Sequence, residues 1–260
     1  MTPADALLTA GAGLLAGAVN AVAGGGTLIA FPALLTTGMP ALTANITSSV
    51  GLLTGYAGGA LGYRRELADQ LDRLRALGPP AMLGGIVGAV VLLATPSDSF
   101  RALVPYLVLV SCLLLAAQTR LAALVARRRA AAGGSDNGGS GNTVTWPTRI
   151  GIFVAGVYGS YFGAGLGVLL LGVLGILLAD DLQRTNALKT LLAFGVNAVG
   201  VAVFLVTAKV AWGYAGILVV ASLLGGLLGA RIARRLRPAL LRMAVITLGV
   251  TVAIILIVRN

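Results

Sequence analysis

Residues 16–26 read AGAVNAVAGGG and residues 155–165 read AGVYGSYFGAG, one small-residue phrase stated twice at an offset of 139. A second phrase repeats likewise: LGGIVGA at 83–89 returns as LGGLLGA at 224–230, at an offset of 141. Between these anchors Asn45, in TANITSS, falls opposite Asn186, in TNALKT. The chain thus holds two copies of one unit, each with a glycine-rich break near its start. Matching breaks in two apolar repeats are the sequence pointer to a midplane site built from discontinuous helices.

Composition places both units in a bilayer. Apolar residues make up 58% of the 260 residues and charged ones 10%, where soluble domains carry roughly a quarter charged residues. Mean hydropathy is +0.96. Stretches able to cross a hydrocarbon core of roughly 30 Å recur at 6–35, 41–62, 76–95, 101–125, 149–179, 185–208, 211–230 and 238–258. Too little remains for a soluble domain, so the expectation is an all-α integral membrane protein. Met1 to Leu15 has no basic n-region, against a cleaved signal peptide. The lone cysteine, Cys112, lies in an apolar run and reads as a packed thiol.

The net charge of +11 sits mainly in short loops: Arg64, Arg65, Arg73 and Arg75; Arg127, Arg128 and Arg129; Arg234, Arg235, Arg237 and Arg242. Basic residues beside spans orient a membrane protein, so the charge argues topology and no nucleic-acid role. If all eight segments crossed once, the loops at 63–75 and 126–148 would face one side and 231–242 the other, against the positive-inside tendency. The halves also differ. Four arginines follow the second segment of the first repeat, and only Arg101 follows its third. In the second repeat Lys209 alone follows the second segment, and the arginine cluster follows the third. Equivalent loops with exchanged charge imply two inverted-topology repeats.

Inversion needs an odd number of crossings per half, so one segment in each must enter and leave by the same side. The glycine-broken segments 6–35 and 149–179 are the candidates, each a re-entrant hairpin of two half-helices of roughly 20 Å, followed by three transmembrane helices. A kinked single span is the alternative, and it stays open. The division is then repeat one at 1–125, a flexible cytoplasmic linker at 126–148 with a Gly/Ser/Asn-rich stretch at 130–145, and repeat two at 149–260.

The breaks nominate the site. The two GGxxGA motifs read as close helix packing, but three consecutive glycines weaken a helix by roughly 1 kcal/mol each. Gly24, Gly25 and Gly26, with Gly163 and Gly165, form the tips. A half-helix starting after Gly26 would present free N–H groups to an anion, Thr27 would add a hydroxyl, and Pro32 strains the helix beyond. Asn45, Thr47, Ser48 and Ser49, with Asn186 and Thr190, supply neutral polar groups at equivalent depths; Asn20 and Asn197 are of the same type. Lys189 sits inside a span, where an ionisable residue is a functional hypothesis by default; snorkelling to the interface is its bland reading. No Asp or Glu lies inside an apolar segment and the chain has no histidine, which argues against a proton relay, a metal site or an intramembrane enzyme. A channel-like pore with the glycine tips as its constriction is the second functional class.

These residues carry a family likeness. AG…N…GGGT…FP at 16–32, GAG at 163–165, RTNALKT at 184–190 and the two GGxxGA motifs together resemble the TauE/SafE family of sulfite and organosulfur-anion exporters, from about Gly11 to Ile257. The second repeat departs from the pattern in having Ala164 within the motif and no proline nearby. The resemblance implies a multi-pass protein of the bacterial inner membrane that moves sulfite, or sulfonates such as sulfoacetate, outward. Its partners would be a small anion and the lipid bilayer, with no cofactor and with a homodimer left open. An inside-negative potential is worth about 2.3 kcal/mol per charge per 100 mV, so anion export requires no coupling ion.

Overall fold

A computed structural model describes residues 1–22, 24–131, 144–178, 182–232 and 238–259. Residues 132–143 of the linker, Asp180, Asp181, Arg234, Arg235 and Arg237 lie outside them. The described residues form helices and no strands: α1 (Pro3–Val22), α2 (Thr27–Thr36), α3 (Ala41–Gly62), α4 (Arg64–Leu67), α5 (Leu71–Ala94), α6 (Ser97–Ala131), α7 (Trp146–Tyr161), α8 (Leu166–Leu177), α9 (Leu182–Thr207), α10 (Trp212–Ile232) and α11 (Pro238–Arg259). Among the described residues five stretches are long and apolar enough to cross a membrane: Pro3–Ala21, Leu71–Ala94, Ser97–Ala117, Gln183–Thr207 and Trp212–Gly229.

The radial distribution of polarity fits lipid rather than water. Leu7, Leu113 and Val206 are 70% or more exposed, whereas Asn45, Thr47 and Ser48 are fully buried. An apolar exterior costs nothing in hydrocarbon, and the helices satisfy their own backbone groups.

Glycines set the helix directions. Gly17 lies on the backbone of Ser222 and Gly226, Gly225 on Leu14, and Gly229 on Ala18, so α1 and α10 run parallel. Gly51 on Leu218, Gly55 on Ser222 and Gly58 on Leu227 make α3 parallel to α10 as well. A second bundle repeats this arrangement: Gly156 lies on Ala81 and Gly85, Gly84 on Phe153, and Gly88 on Val157, so α5 and α7 run parallel. Gly85 meets Val196 and Val199 while Gly195 meets Met82, which aligns α9 with α5. Across the bundles, Gly59 meets Thr190 and Val50 clusters with Val201, so α3 and α9 are antiparallel.

The two bundles share one contact scheme. Gly17–Ser222 corresponds to Gly156–Ala81, Gly225–Leu14 to Gly84–Phe153, and Gly229–Ala18 to Gly88–Val157. One partner in each pair moves by 139 residues and the other by 141, the two offsets of the repeated phrases. A Cβ on Gly17, Gly84, Gly88 or Gly225 would overlap a carbonyl oxygen of the facing helix. Both GGxxGA motifs are thus packing seams where only small residues allow the approach.

Since α1 and α3 both run with α10, the chain reverses between them, and α2 makes the return. The segment from α1 to α2 therefore enters and leaves at one end of the bundle; α7 and α8 do the same before α9. The arms are unequal, unlike the two half-helices expected. At 1.5 Å per residue, α1 and α7 reach about 30 and 24 Å, and α2 and α8 about 15 and 18 Å. The outer arms are longer because the seams with α10 and α5 hold them along their length. Two further boundaries differ from the sequence reading. Arg73 and Arg75 belong to the first turns of α5, and Arg127, Arg128 and Arg129 continue α6 rather than starting a loop. Arginine is a good helix former with a long apolar stem, so a basic residue does not by itself end a span.

The starts of α5, α7 and α9 gather at one end. Gln70 Nε2 donates to the Arg184 carbonyl at 2.9 Å, and Arg184 pairs with Asp69 at 3.7 Å. Arg75, Trp146 and Arg149 line one groove there. The opposite end holds the start of α10, where the Ala211 N–H donates to Thr47 Oγ1 at 3.2 Å.

Candidate functional site

Each break is built by glycine in a conformation other residues avoid. Gly24 has φ +79°, and its counterpart Gly163 has φ +82°, with Gly165 at +85°. The Gly24 N–H closes back on the Val19 carbonyl at 3.0 Å, as the Gly163 N–H does on Tyr158 at 3.4 Å. The two tips touch. A Cβ on Gly24 would sit 2.8 Å from the Gly167 Cα, and one on Gly163 would sit 3.5 Å from Thr27 Oγ1. Phe31 of α2 packs edge-on against Phe162 of the second break, with centroids 5.5 Å apart.

The start of α2 is less open than its sequence suggests. Asn20 Oδ1 accepts the Gly26 N–H at 2.7 Å, so one helix-start donor that the sequence reading left for an anion is already capped from the last turns of α1. Gly25 faces the side chains of Leu115 and Leu28, with ordinary contact room for a methyl group. The Thr27 hydroxyl, 5% exposed, points toward the second tip.

The remaining nominated residues divide by what their polar atoms already do. Ser48 and Ser49 Oγ both donate to the Asn45 carbonyl, at 2.8 and 3.0 Å, and Thr190 Oγ1 donates to that of Asn186 at 2.8 Å. These hydroxyls are spent on their own helices in this rotamer. Thr47 serves the seam with α10. Asn45 Nδ2 donates to the Tyr161 carbonyl at 3.0 Å and so braces the second break, while its Oδ1 is buried without a partner. Asn20 Nδ2 is likewise buried and unpartnered. Lys189 is 2% exposed and forms no hydrogen bond or ion pair among the described residues, although its Nζ is not one of the fully buried, unpartnered side-chain atoms. A snorkelling lysine would expose its ammonium; this one is enclosed. Its neighbour Thr190 faces Gly59, beside Ala21, which sets it at the depth of the first break.

Sequence reasoning missed two groups. The Tyr56 hydroxyl, on a side chain 3% exposed, is buried beside the Asn20 side chain without a hydrogen bond of good geometry. Ser111 Oγ lies 2.7 Å from the Tyr158 hydroxyl, 2.7 Å from the Leu107 carbonyl one turn back and 2.9 Å from the Ala164 carbonyl, so its single proton is shared between its own helix and the second break. Both sit in apolar runs, and only tertiary packing shows what their hydroxyls face.

The Asn20 amide N–H₂ and, beside it, the Tyr56 phenol lie at the first break, the unpartnered Asn45 Oδ1 lies at the second, and Lys189 is enclosed on α9 next to Thr190. Leaving a buried donor unpaired costs about 1–3 kcal/mol. A ligand that accepts hydrogen bonds and carries negative charge would offset that cost for several groups at once. Among the described residues no group of His, Cys, Asp and Glu could hold a metal ion.

Comparison with known proteins places the chain in a family of membrane transporters. No solved structure matches the chain. A probable membrane transporter protein of Haemophilus influenzae is 26% identical over 240 residues, 91% of this chain and 88% of that protein. Probable membrane transporter protein ORF9 of Sinorhizobium sp is 26% identical over 245 residues, covering 94% and 88%. Probable membrane transporter protein YfcA of Escherichia coli K12 is 23% identical over 219 residues, covering 84% and 77%. The family profile described as Sulfite exporter TauE/SafE matches residues 9–256, which take in both glycine breaks, both packing seams and Lys189, and the protein belongs to that family of membrane transporters.

Proposed function

We propose that this multi-pass transporter is a carrier that exports small sulfur-containing anions, sulfite and sulfonates such as sulfoacetate, from the bacterial cell by alternating access. The observation that carries the reading is Lys189. It is enclosed at the depth of the first glycine break, where Asn20 Nδ2 also lacks a partner, and Tyr56 belongs to the same reading as a third donor. An ammonium with no resident carboxylate suits a visiting anion, because the substrate itself supplies the missing charge. Thr27 and the glycine tips complete the proposed site, and Asn45 braces the second tip. The described acids stand at helix starts or in loops, so no proton relay is assigned, and the membrane potential drives the anion outward.

Two inverted repeats are the framework for this carrier. The opposed directions of α1–α3–α10 and α5–α7–α9 support it, as do the contacts shared at offsets of 139 and 141. With the gathered starts of α5, α7 and α9 facing the cytoplasm, the arginine-rich segments lie inside, as the positive-inside tendency requires.

The test is transport of radiolabelled sulfite and sulfoacetate in proteoliposomes under an imposed potential. Saturable flux, with mutual competition and acceleration when the compartment holding the anion is negative, is the expected result. Single-channel currents would replace the carrier by a pore. Absence of flux for both anions, in vesicles where the protein is folded and correctly inserted, would remove the sulfur-anion assignment.

A further inference from the structure

At the end of the bundle where α5, α7 and α9 begin, a groove of about 440 Å³ runs between α5 and α7 on the outer surface. Its mouth carries Arg75, Arg149 and Trp146, and its floor carries Ala76, Pro79 and Pro80. The groove has a structural cause. Higher up, Gly84 and Gly88 bring α5 onto α7. Below them, two adjacent prolines inside α5 break the regular ladder. Neither proline has an N–H, so the carbonyls of Arg75 and Ala76 lose their i+4 donors. Both residues line the same groove.

We propose that this groove binds the headgroup of an anionic glycerophospholipid with a single phosphodiester and free hydroxyls, of the phosphatidylglycerol type. The charge fits one such lipid. Asp72 lies 3.6 Å from the Arg75 guanidinium, so two arginines and one carboxylate leave the mouth with a single net positive charge. Arg149 and Arg75 donate to the phosphate, and headgroup hydroxyls donate to the carbonyls that the prolines free. Trp146, 70% exposed, has the amphipathic indole that favours the membrane interface. Further in, Leu83 and Ile150, at 58% and 50% exposure, continue the groove as an apolar wall for an acyl chain. That wall commits the site to a lipid rather than to free phosphate. Basic pockets between membrane helices are a known form of headgroup recognition.

The chain has two tryptophans, so a Trp212→Phe background leaves Trp146 as the reporter at the groove. The full-length protein is placed in phosphatidylcholine nanodiscs, and a fraction of the lipid is replaced by brominated phosphatidylglycerol or brominated phosphatidylcholine. Brominated phosphatidylglycerol should quench Trp146 at a lower mole fraction than brominated phosphatidylcholine. That preference should weaken roughly fivefold for each arginine lost in Arg75→Gln and Arg149→Gln, the usual attraction of one basic side chain to an anionic surface. Equal quenching by the two lipids in the parent protein overturns the proposal, whether or not the variants fold. So does relief of quenching by millimolar glycerol 3-phosphate, which would mark a soluble-phosphate site. Retention of the preference in the double variant also overturns it.

Discussion

The three consecutive glycines of the first break are predicted to respond very differently to one added methyl group. Gly24 has φ +79°, and its Cβ would meet the Gly167 Cα at 2.8 Å, backbone against backbone. The left-handed conformation costs an L-residue about 1–2 kcal/mol. Overfilling a packed contact adds about 1–3 kcal/mol, so Gly24→Ala should destabilise by about 2–5 kcal/mol in total. At Gly25 the same methyl meets only side-chain methyl groups, the two Leu115 Cδ atoms at 3.5 and 3.6 Å and Leu28 Cδ1 at 3.9 Å. That is ordinary contact, and Gly25→Ala should fall within about 0.5 kcal/mol of the parent. Gly26→Ala would overlap the Ala16 carbonyl and the Asn20 side chain, and belongs with Gly24. The measurements are thermal unfolding in detergent and the initial rate of labelled sulfite flux in proteoliposomes. Gly24→Ala should lower both, and Gly25→Ala neither. If the Gly24 and Gly25 variants are equally stable and equally active, the contact between the two tips does not hold the site together and the reasoning fails.

Three further predictions follow from the same geometry. Lys189→Met should raise thermal stability by about 1 kcal/mol or more, because burying an unpaired charge is costly, while sulfite flux falls; Lys189→Arg should keep part of the flux, and a Met variant with parental flux would take Lys189 out of the site. Asn20→Ala should cost about 1–3 kcal/mol by stranding the buried Gly26 N–H. Asn20→Asp keeps the acceptor for the Gly26 N–H but buries a carboxylate, so it should recover only part of the stability and depress flux further by setting a negative charge beside the anion, and an Asp variant more active than the Ala variant would contradict the anion site. Single cysteines in 63–75, 126–148 and 231–242, on a Cys112→Ser background, should resist an impermeant thiol reagent added outside intact cells, whereas one at position 209 should react; external labelling of 231–242 would overturn the proposed orientation.

Much of this was legible in the sequence because glycine and charge are the least ambiguous letters in a membrane segment. The breaks at Gly24 and Gly163 and the seams at Gly84, Gly88, Gly225 and Gly229 stand where the repeated phrases put them. A return arm is also readable when a break sits in a stretch too long for one crossing. Polar pairing was not legible. Asn20 caps Gly26 across the break, a contact six residues apart that no helix periodicity encodes. Tyr56 looks like any aromatic residue in an apolar run, and its hydroxyl matters only because the packed helices bury it beside Asn20. The hydroxyls of Ser48, Ser49 and Thr190 looked available and are spent on backbone carbonyls one turn back. Each case depends on where a side chain points after packing, and composition carries no information about that.

The two halves match in packing and differ in chemistry, and under the proposed carrier mechanism both facts have one explanation. Each hairpin rides on a helix of the other half, α1 on α10 and α7 on α5, through seams of the same small residues. A motion that exchanges the environments of the two hairpins needs these seams to be interchangeable, so their glycines recur at a constant offset. The polar positions do not recur: Lys189 falls opposite Ser48, Asn20 opposite Gly159 and Tyr56 opposite Asn197. A second enclosed lysine in place of Ser48 would add another unpaired charge, at a cost of several kcal/mol, while one substrate position is enough for a carrier. Ser48 instead closes on the Asn45 carbonyl at 2.8 Å and leaves no charge to neutralise. The symmetric scaffold then supplies the motion, and the asymmetric donors hold the anion on one side of the axis, against the first break.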